Sequence, residues 1–563
     1  MHRWHAPRLF LRCLRLLASK SRPAPDAPVL CSLQLLDARD SGLHLRSLSP
    51  GDPGSISGGV PLTGFRTVGA SVWASDASFL DNRVQPRHLF MGGERLTRTR
   101  AGADVVEALG AANADDDGYT ISGAPEKLLE WSNASPEDAG AIEFVFANSN
   151  PAQWSESRCT VQNVSVLGST LRVNMKNPCF TILRHKPCGQ GWSKPSSIEN
   201  VPLSSAEQPL IGTWILERTA SSATVKIISP TAPVDVVMPV METLIEATNA
   251  SFVTFTDLIF EYATYSRPSG PLGFVEQQSG AILSTNQDGT CNDVLWVPMQ
   301  SNLVFLGTDA ITFDQCTLQH LGAGGLQFRA GAHNATVQSC TFQDISGTAI
   351  QIGDYDTMRE TDPRRQELFN TVQDCTIDRV AAEFHGTCGI QIGYSAYTTI
   401  AHNTITNLPY TGITIGWGWA REPISYAGHN LITANRISHF KGFLGDGGGV
   451  YALGPQQGSI MSENWISDMG AGRGGGGYYP DEGSAFWTIT RNVFSNSSFC
   501  ADDCEWLHIW TSSIHDIVVS DCWTDTATQE NHGTNCTESA ITVVEGGKWP
   551  VEAIEVMQAA GRR

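Results

Sequence analysis

The sequence predicts an all-β protein whose largest part is a parallel β-helix, and three observations support this prediction. Charged residues make up only 17% of the chain, and 54 of its 563 residues are glycine, which is typical of neither a coiled coil nor a disordered acidic tail. Short segments rich in β-branched residues recur about every 29 residues. Within each segment apolar and polar residues alternate with a period of two, which indicates strands rather than helices.

Eight copies of the repeat align on one column that holds only cysteine or asparagine. The residue three positions before the column is apolar in every copy, and the residue two positions after it is apolar in every copy except at Thr524. Because the alternation shifts at the column, each copy predicts a strand, a bend and a second strand, and successive copies bury their inner faces by stacking. The column residues are Cys316, Cys340, Cys375, Asn403, Asn435, Asn464, Asn492 and Cys522.

The asparagines of this column predict a structural ladder. A side-chain amide at a bend can both donate and accept hydrogen bonds, so that stacked asparagines satisfy buried backbone groups from one coil to the next. A cysteine in the same position behaves as a small buried apolar residue. We therefore expect a structural role, and not a catalytic one, for Asn403, Asn435, Asn464 and Asn492.

The repeat also divides the chain into segments. Residues 61–240 lose the repeat and predict a separate β-rich insert. We expect residues 35–60 to form the first strands of the β-helix and residues 241–545 to form the rest of it.

The two ends of the chain are predicted separately. Residues 1–34 are expected to be a presequence or a disordered N terminus, because residues 1–25 carry basic but no acidic side chains; an imperfect gene start is the alternative. Residues 546–563 predict a short helix that covers the open end of the coil, with Pro550 at its first position and Gly561 just after its end.

Composition excludes some partners and favours one compartment. The formal net charge of −20 makes nucleic acid an unfavourable partner, because its phosphates would be repelled. No run of about 18 apolar residues occurs, so we expect no membrane-spanning helix. The 14 cysteines and the Asn-x-Ser/Thr sequons favour a secreted glycoprotein. The sequons begin at Asn133, Asn163, Asn249, Asn334, Asn496 and Asn535.

Glycine-rich corners follow the second strand of each repeat, and stacking is expected to place them on one wall of the β-helix. These corners carry aromatic residues beside carboxylates, which suits a sugar because its apolar face stacks on a ring and its hydroxyls bond to the acids. Packing of the loops by the same rings is the alternative. The residues predicted to bind substrate are Tyr394, Trp417, Trp419, Tyr451 and Gln456, with His385 and His508 bordering the cleft.

Two acidic positions in neighbouring coils are candidates for catalysis. Asp446 lies in FLGDGGGVY, and Asp481 precedes Glu482, the alternative candidate, in YYPDEGS. A glycosidase needs one carboxylic acid to protonate the leaving oxygen and one carboxylate as nucleophile or as base for water. Aligning the two coils places Asp481 opposite Leu453, so we expect a bend in the Gly447–Gly449 run to bring the carboxylates together. A turn residue that binds local amides is the alternative for each acid.

Two further motifs predict neither a metal nor a cofactor. GAGRGGGG contains G-x-G-x-x-G from Gly470, but no helix and no Lys-Ser/Thr pair are expected after it, so nucleotide binding is not predicted. CADDC, residues 500–504, lacks zinc-site spacing and nearby histidines, so we expect a disulfide bond or a loop there.

The chain from about residue 36 to 561 resembles a known family. The segments SGGVPLTGF, ITIGWGWA, GDGGGVYALGPQQG, YYPDEGS and WPVEAIEVMQAAG are similar to right-handed parallel β-helix glycoside hydrolases with the pectin-lyase-like solenoid, most like family 141, which includes α-L-fucosidases and xylanases. The resemblance implies a β-sandwich-like insert and a catalytic pair of aspartates, which by motif fall on Asp446 and Asp481. The family's first strand, with its SPDG loop, is missing before LLDARDSG.

Three hypotheses for function follow. The leading one is a secreted, monomeric glycoside hydrolase that cleaves a plant or algal polysaccharide, fucosidase- or xylanase-like, with the carboxylates of Asp446 and Asp481. The second is a polysaccharide lyase on the same scaffold, with Lys or Arg as base and Ca²⁺ on a uronate, although few basic residues lie on the predicted wall. The third is a noncatalytic carbohydrate-binding or surface protein.

Overall fold

The computed structural model describes most of the chain. The presequence prediction falls largely outside the described residues, and the CADDC segment falls wholly outside them. Within them, no helix is both long and apolar enough to cross a membrane. The described residues are 10–13, 31–35, 40–47, 53–80, 85–148, 152–186, 190–204, 206–207, 210–219, 222–283, 296–419, 425–470, 474–496 and 505–563.

Three long sheets wind around a common core and form the predicted parallel β-helix. Each coil contributes one strand to each sheet in turn, and neighbouring strands are parallel except for the first pair of sheet 1. Sheet 1 contains Phe10–Cys13, Cys31–Leu35, Ile245–Thr248, Ser301–Leu306, Gly324–Arg329, Ile350–Ile352, Ile390–Ile392, Ile413–Ile415, Gly447–Ala452, Gly475–Pro480, Glu505–Ile509 and Glu530–Asn531.

The other two sheets follow the same order of coils. Sheet 2 contains His44–Arg46, Thr254–Thr256, Thr312–Asp314, Thr336–Gln338, Thr371–Gln373, Thr399–Ala401, Leu431–Thr433, Pro455–Ser462, Ala485–Thr490, Val518–Ser520 and Thr537–Ser539. Sheet 3 contains Gly54–Ser57, Leu258–Ala263, Thr317–Leu321, Thr341–Ile345, Thr376–Val380, Thr404–Thr406, Arg436–Ser438, Trp465–Ser467, Val493–Ser495, Trp523–Thr524 and Thr542–Val543.

The bend between sheets 2 and 3 has a backbone cause. In all eight aligned copies the residue directly before the column has a positive φ of 51° to 57°, which lies in the left-handed region. This single residue turns the chain, so that the alternation of inward and outward side chains shifts as the sequence indicated. The residues are Gln315, Ser339, Asp374, His402, Ala434, Glu463, Arg491 and Asp521.

The predicted asparagine ladder is confirmed. Asn435 Oδ1 accepts hydrogen bonds from the backbone N and from Nδ2 of Asn403, at 3.0 and 2.9 Å. Asn464 and Asn492 repeat these contacts in the following coils. Each asparagine also donates to a backbone carbonyl of the preceding coil, as Asn464 does to Ile432. The buried backbone polar groups at this bend are thus satisfied along the axis.

The insert consists of three sheets that are antiparallel except for one pair. One contains Thr97–Arg98, Thr213–Thr219, Ser222–Ile228, Val72–Asp76 and Arg66–Gly69, and a second contains Gly59–Leu62, Val236–Pro239, Phe90–Met91 and Glu94–Arg95. The third contains Asn113–Asp115, Gly118–Ser122, Glu143–Ala147, Glu156–Leu167, Thr170–Met175, Ser197–Glu199, Phe274–Gln278, Ala281–Leu283 and Trp296–Pro298. A disulfide bond joins Cys159 to Cys179.

Part of the third insert sheet comes from within the β-helix segment. Three strands that lie in the sequence between Leu258–Ala263 and Ser301–Leu306 join that sheet: Phe274–Gln278, Ala281–Leu283 and Trp296–Pro298. Their side chains, with Trp296 among them, pack in one apolar cluster with corner residues of the β-helix such as Trp417 and Tyr451. The insert therefore covers the outer side of sheet 1 and its corners.

The C-terminal helix is present but does not lie where the sequence predicted. It spans Val551–Ala559, with Pro550 as its N-cap, and its buried side chains pack against Trp465, Val493 and Trp523 on the outer face of sheet 3. Helices or 3₁₀ turns also span Ala103–Gly110, Glu126–Leu129, Glu130–Asn133, Pro136–Ala139, Cys179–Arg184, Arg267–Ser269 and Pro363–Arg365.

The residues after this helix continue along the same face. Arg562 donates hydrogen bonds to Thr341 and Thr376, which open sheet 3 strands in coils nearer the middle of the β-helix. The segment therefore runs back along the side of the solenoid instead of across its open end. The physical reason is that the outward-facing tryptophans of sheet 3 offer an apolar surface to the helix.

Candidate active site

The two candidate aspartates flank neighbouring strands of sheet 1. Gly447–Ala452 pairs in register with Gly475–Pro480, and Ala452 lies opposite Pro480. Asp481 therefore follows its strand opposite Leu453, as predicted, and Asp446 directly precedes the other strand.

The chain turns at Asp446 itself rather than in the glycines that follow. The expected bend in Gly447–Gly449 is absent, because Gly447 and Gly448 pair in register with Gly475 and Gly476. Asp446 has a φ of 55°, in the left-handed region. Gly448 serves a different purpose: a Cβ there would lie 2.9 Å from the backbone oxygens of Gly476 and Val450 and 3.3 Å from the Cβ of Tyr479, so the paired strands leave room only for glycine.

Two tyrosines on the paired strands connect the aspartates. Tyr479 Oη donates to Asp446 Oδ1 over 3.1 Å, and Tyr451 Oη donates to Asp481 Oδ2 over 2.6 Å. The two tyrosines are register partners, and their rings meet edge to face with centroids 5.1 Å apart. Asp446 is thus held by the strand that ends before Asp481, and Asp481 is held by the strand that begins after Asp446.

Asp481 is surrounded by hydrogen-bond donors. Its Oδ2 accepts from Tyr451 Oη and from Trp419 Nε1 at 3.1 Å, and its Oδ1 accepts from Trp510 Nε1 and from the backbone N of Glu482, both at 2.8 Å. Only an ionised carboxylate can accept from four donors without donating one itself. The arrangement therefore suits a charged Asp481.

Asp446 has a contrasting environment. Burial, reinforced by the nearby charge of Asp481, raises its pKa to about 6, while the hydrogen bond from Tyr479 acts in the opposite direction. The same two influences, burial first and Asp481 second, raise the pKa of the half-buried Glu482. One carboxyl that holds its proton up to about pH 6 thus interacts with one that suits the charged form, which is the pairing that acid-base chemistry requires.

Two partly exposed tryptophans border Asp481. The side chain of Trp510 is 39% exposed, and that of Trp419 is half-buried. Both indoles donate to Asp481. A flat ligand that entered here would meet aromatic surface and a carboxylate together.

Three residues of the site were missed in the sequence. Tyr410 Oη donates to the backbone oxygen of Asp446 over 2.8 Å, and Gln278 Nε2 donates to Tyr410 Oη over 2.6 Å. Gln278 comes from the insert, and nothing in its local sequence indicates this role. Trp510 could have been found, because extending the repeat to EWLHIW places it at the position of Asp481 in the next coil.

Most of the predicted sugar-binding wall is buried, which corrects the expectation of an exposed surface. Trp417, Tyr394, Tyr451 and Gln456 each have a relative exposure of 1% or less. Trp417 packs against Tyr355 with ring centroids 4.2 Å apart. The insert strands Phe274–Gln278, Ala281–Leu283 and Trp296–Pro298 cover these corners, so rings that were predicted to stack on a sugar pack in a protein core.

The two predicted histidines lie in different places. His508 contacts the ring of Tyr479, at a centroid distance of 4.6 Å, and so borders the aspartate site. His385 instead lines a separate large cleft, where its Nδ1 lies 2.6 Å from Glu156 Oε2.

One group near the aspartates could hold a cation. Ligand atoms of Glu505, His508 and Glu530 lie within 4.8 Å of one another. His508 Nδ1 is 2.6 Å from Glu505 Oε2 and 3.7 Å from Glu530 Oε2. The imidazole is hydrogen-bonded to Glu505 alone, and Glu530 lies beyond hydrogen-bond distance, so the grouping needs no ion to account for it.

Comparisons with known proteins agree with this architecture. A family model described as a right-handed β-helix region matches residues 244–422. The fold is a right-handed parallel β-helix. A solved structure named "Glycoside hydrolase" superposes with a TM-score of 0.70 at 20% sequence identity, covering 94% of this chain and 89% of that chain. A search of curated proteins found no matching relative.

Structural similarity to two other solved structures, measured by TM-score, is lower. The complex of XylC with xylose gives a TM-score of 0.43 at 11% identity and covers 92% of this chain and 81% of that chain. The family 136 lacto-N-biosidase from Eubacterium ramulus gives 0.33 at 10% identity and covers 55% of this chain and 52% of that one.

Proposed function

We propose that this protein is a secreted glycoside hydrolase, of the kind found in family 141, that cleaves a plant or algal polysaccharide. The observation that carries the proposal is the pairing of Asp446, whose pKa is raised to about 6, with Asp481, which accepts hydrogen bonds from four donors. Glycosidic cleavage needs one protonated and one ionised carboxyl on either side of the scissile bond.

The environments assign the two roles. Asp446 is the acid, because burial and the charge of Asp481 favour its protonated form, and it donates its proton to the leaving oxygen. Asp481 is the ionised partner, which acts as nucleophile or as base for water and stabilises the positive charge that develops at the anomeric carbon. Tyr479 and Tyr451 hold the two carboxyls in position.

The surroundings of the pair favour a sugar over other substrates. Trp510 and Trp419 border Asp481 and supply aromatic surface for a pyranose face. A solved structure that shares this fold over most of both chains is named as a glycoside hydrolase, which adds support. The buried Lys441 donates to the carbonyl of Gly474, and burial lowers the pKa of its ammonium group to about 8, so the lyase alternative is decided by the product that is released.

The test is a screen of wild-type protein against a panel of xylan, fucoidan, arabinan, alginate and homogalacturonan. We expect reducing ends to appear with one of these polysaccharides and without absorbance of an unsaturated product in the ultraviolet. An unsaturated product would assign a lyase instead. Binding without turnover, measured by calorimetry, would assign a noncatalytic carbohydrate-binding protein.

A further inference from the structure

A second cleft lies between the insert and the corners that join sheet 3 to sheet 1. Its volume is about 1060 Å³, which exceeds that of many ligand pockets. Strand Glu143–Ala147 of the insert forms one side, and the corners around Asn407 and Phe443 form the other. Neither catalytic candidate lines this cleft.

The floor of the cleft belongs to a larger network of charges. Four arginines and four glutamates pair with one another at the boundary between the insert and the β-helix. Two arginines and two glutamates of this network line the cleft, so the charges on its floor balance: Arg100, Arg158, Glu156 and Glu199. Arg158, only 2% exposed, contacts Glu156, Glu143 and Glu199. The paired residues are Arg87, Arg98, Arg100, Arg158, Glu143, Glu156, Glu199 and Glu383.

His385 is held at this floor with one edge directed away from its partner. Its Nδ1 lies 2.6 Å from the buried Glu156 Oε2, and its side chain is 28% exposed. A carboxylate on Nδ1 fixes the orientation of an imidazole and leaves Nε2 for a ligand. The ring lies 4.9 Å from that of Phe443, centroid to centroid.

Phe443 supplies an aromatic surface in the same cleft. Its side chain is 43% exposed, which is unusual for a phenylalanine inside a cavity. The exposed polar side chains of Asn407 and Arg379 line the cleft as well. Arg379 uses its Nε in one ion pair with Asp378 and keeps further N–H donors. An apolar ring beside planar hydrogen-bonding groups over a neutral floor suits an uncharged sugar chain.

One loop joins this cleft to the aspartate site. Phe443 lies in the cleft, and Asp446 follows it by three residues, so that their Cα atoms are at most about 11 Å apart. Between them the buried Leu444 packs against Val145 and Tyr410. The backbone N of Gly445 donates to the carbonyl of Gln153 in the insert. The loop is therefore anchored on both sides and presents one side chain to each site.

From these observations we infer that the cleft is an extended glycan-binding site, in which Phe443 and His385 hold a neutral section of the polysaccharide chain whose scissile bond lies at Asp446. This inference rests on the proposed function. Binding of a glycan in the cleft explains why Phe443 is exposed on the loop that also carries Asp446.

The experiment has two parts and uses the full-length protein. Binding of hexasaccharides from the screening panel to the inactive Asp446→Asn/Asp481→Asn variant is measured by calorimetry, with and without Phe443→Ala. We expect Phe443→Ala to weaken binding of one hexasaccharide about tenfold, since aromatic contact of this kind is worth roughly 1.4 kcal/mol. Phe252→Ala, which removes a 64% exposed phenylalanine that does not line the cleft, should leave binding unchanged.

The second part measures hydrolysis. The ratio of kcat/KM for a hexasaccharide to that for a disaccharide is compared between wild type and Phe443→Ala, and we expect the variant to lower this ratio. Equal ratios and equal affinities would overturn the cleft assignment while leaving hydrolysis intact. If Phe443→Ala weakens hexasaccharide binding but the wild-type protein hydrolyses no glycan, the cleft assignment is supported and only the proposed function is overturned. No binding of any hexasaccharide would overturn the inference.

Discussion

Tyr479 Oη donates a hydrogen bond to Asp446 Oδ1 over 3.1 Å, and the strand that carries Tyr479 ends directly before Asp481. The state of Asp446 therefore depends on the strand whose end carries Asp481. This hydrogen bond favours the ionised form of Asp446, whereas burial and the charge of Asp481 raise its pKa to about 6. The balance of these influences determines the pH range in which Asp446 can act as an acid.

We expect kcat to fall as the pH rises through about 6, because Asp446 then loses the proton that it must donate. Tyr479→Phe removes a hydrogen bond that stabilises the charged form, so the fall should move to higher pH. The pH profile of kcat checks this. Tyr478→Phe is the matched control, because the buried Tyr478 Oη has no hydrogen-bond partner among the described residues. Coincident profiles for Tyr479→Phe and wild type would contradict the assignment.

Asp446→Asn should stabilise the fold at alkaline pH. The pKa of this carboxyl is about 6 in the folded protein, against an ordinary value of 3.8, so its contribution to stability is present at low pH and is lost as the pH rises through 6. The gain in Tm from Asp446→Asn is therefore larger at pH 8 than at pH 4. Thermal unfolding of wild type and variant at pH 4 and at pH 8 measures this gain in Tm. An equal gain at the two pH values would argue against the raised pKa of Asp446.

Trp510→Phe should lower kcat about tenfold with a smaller change in KM, because the ring remains while Asp481 loses one of its four donors. Steady-state kinetics on the substrate found in the screen measures both constants. Trp487→Phe serves as control, since the buried Trp487 Nε1 has no partner among the residues described. A change confined to KM would indicate that Trp510 serves only to contact substrate.

Asn464→Ala should destabilise the β-helix by about 2 kcal/mol or more, because buried groups of Asn435 and Ile432 lose their partners. Denaturant or thermal unfolding measures the loss. Asn113→Ala, at an exposed strand position, should change stability by no more than about 0.5 kcal/mol. Similar effects of the two substitutions would mean that the ladder is not a main source of stability.

The repeat allowed the solenoid to be predicted because its signal is local and recurs in every coil. Three features depend only on residues within one or two coils: the alternation of apolar and polar residues, its shift at the column, and the pairing of Asp481 with Leu453. The turn at Asp446 was assigned to the wrong residues, since glycines seemed the easier place for it, yet Gly447 and Gly448 are needed in the strand.

The burial of the aromatic corners could not be predicted in this way. It depends on insert strands whose residues Val275, Leu283 and Trp296 pack in one cluster with Trp417 and Tyr451, and no periodicity in the corners indicates that cover. The same applies to Gln278, which reaches the site from the insert. The C-terminal helix was predicted correctly as an element, but its position depends on outward-facing tryptophans of sheet 3.

The most direct test of the central claim is the release of reducing sugar by Asp446→Asn and by Asp481→Asn, each compared with wild type on the polysaccharide that the screen identifies. Each substitution should lower the rate at least about a hundredfold, while circular dichroism remains that of the wild type. Full activity in either variant would contradict the assignment of these two aspartates as the catalytic pair.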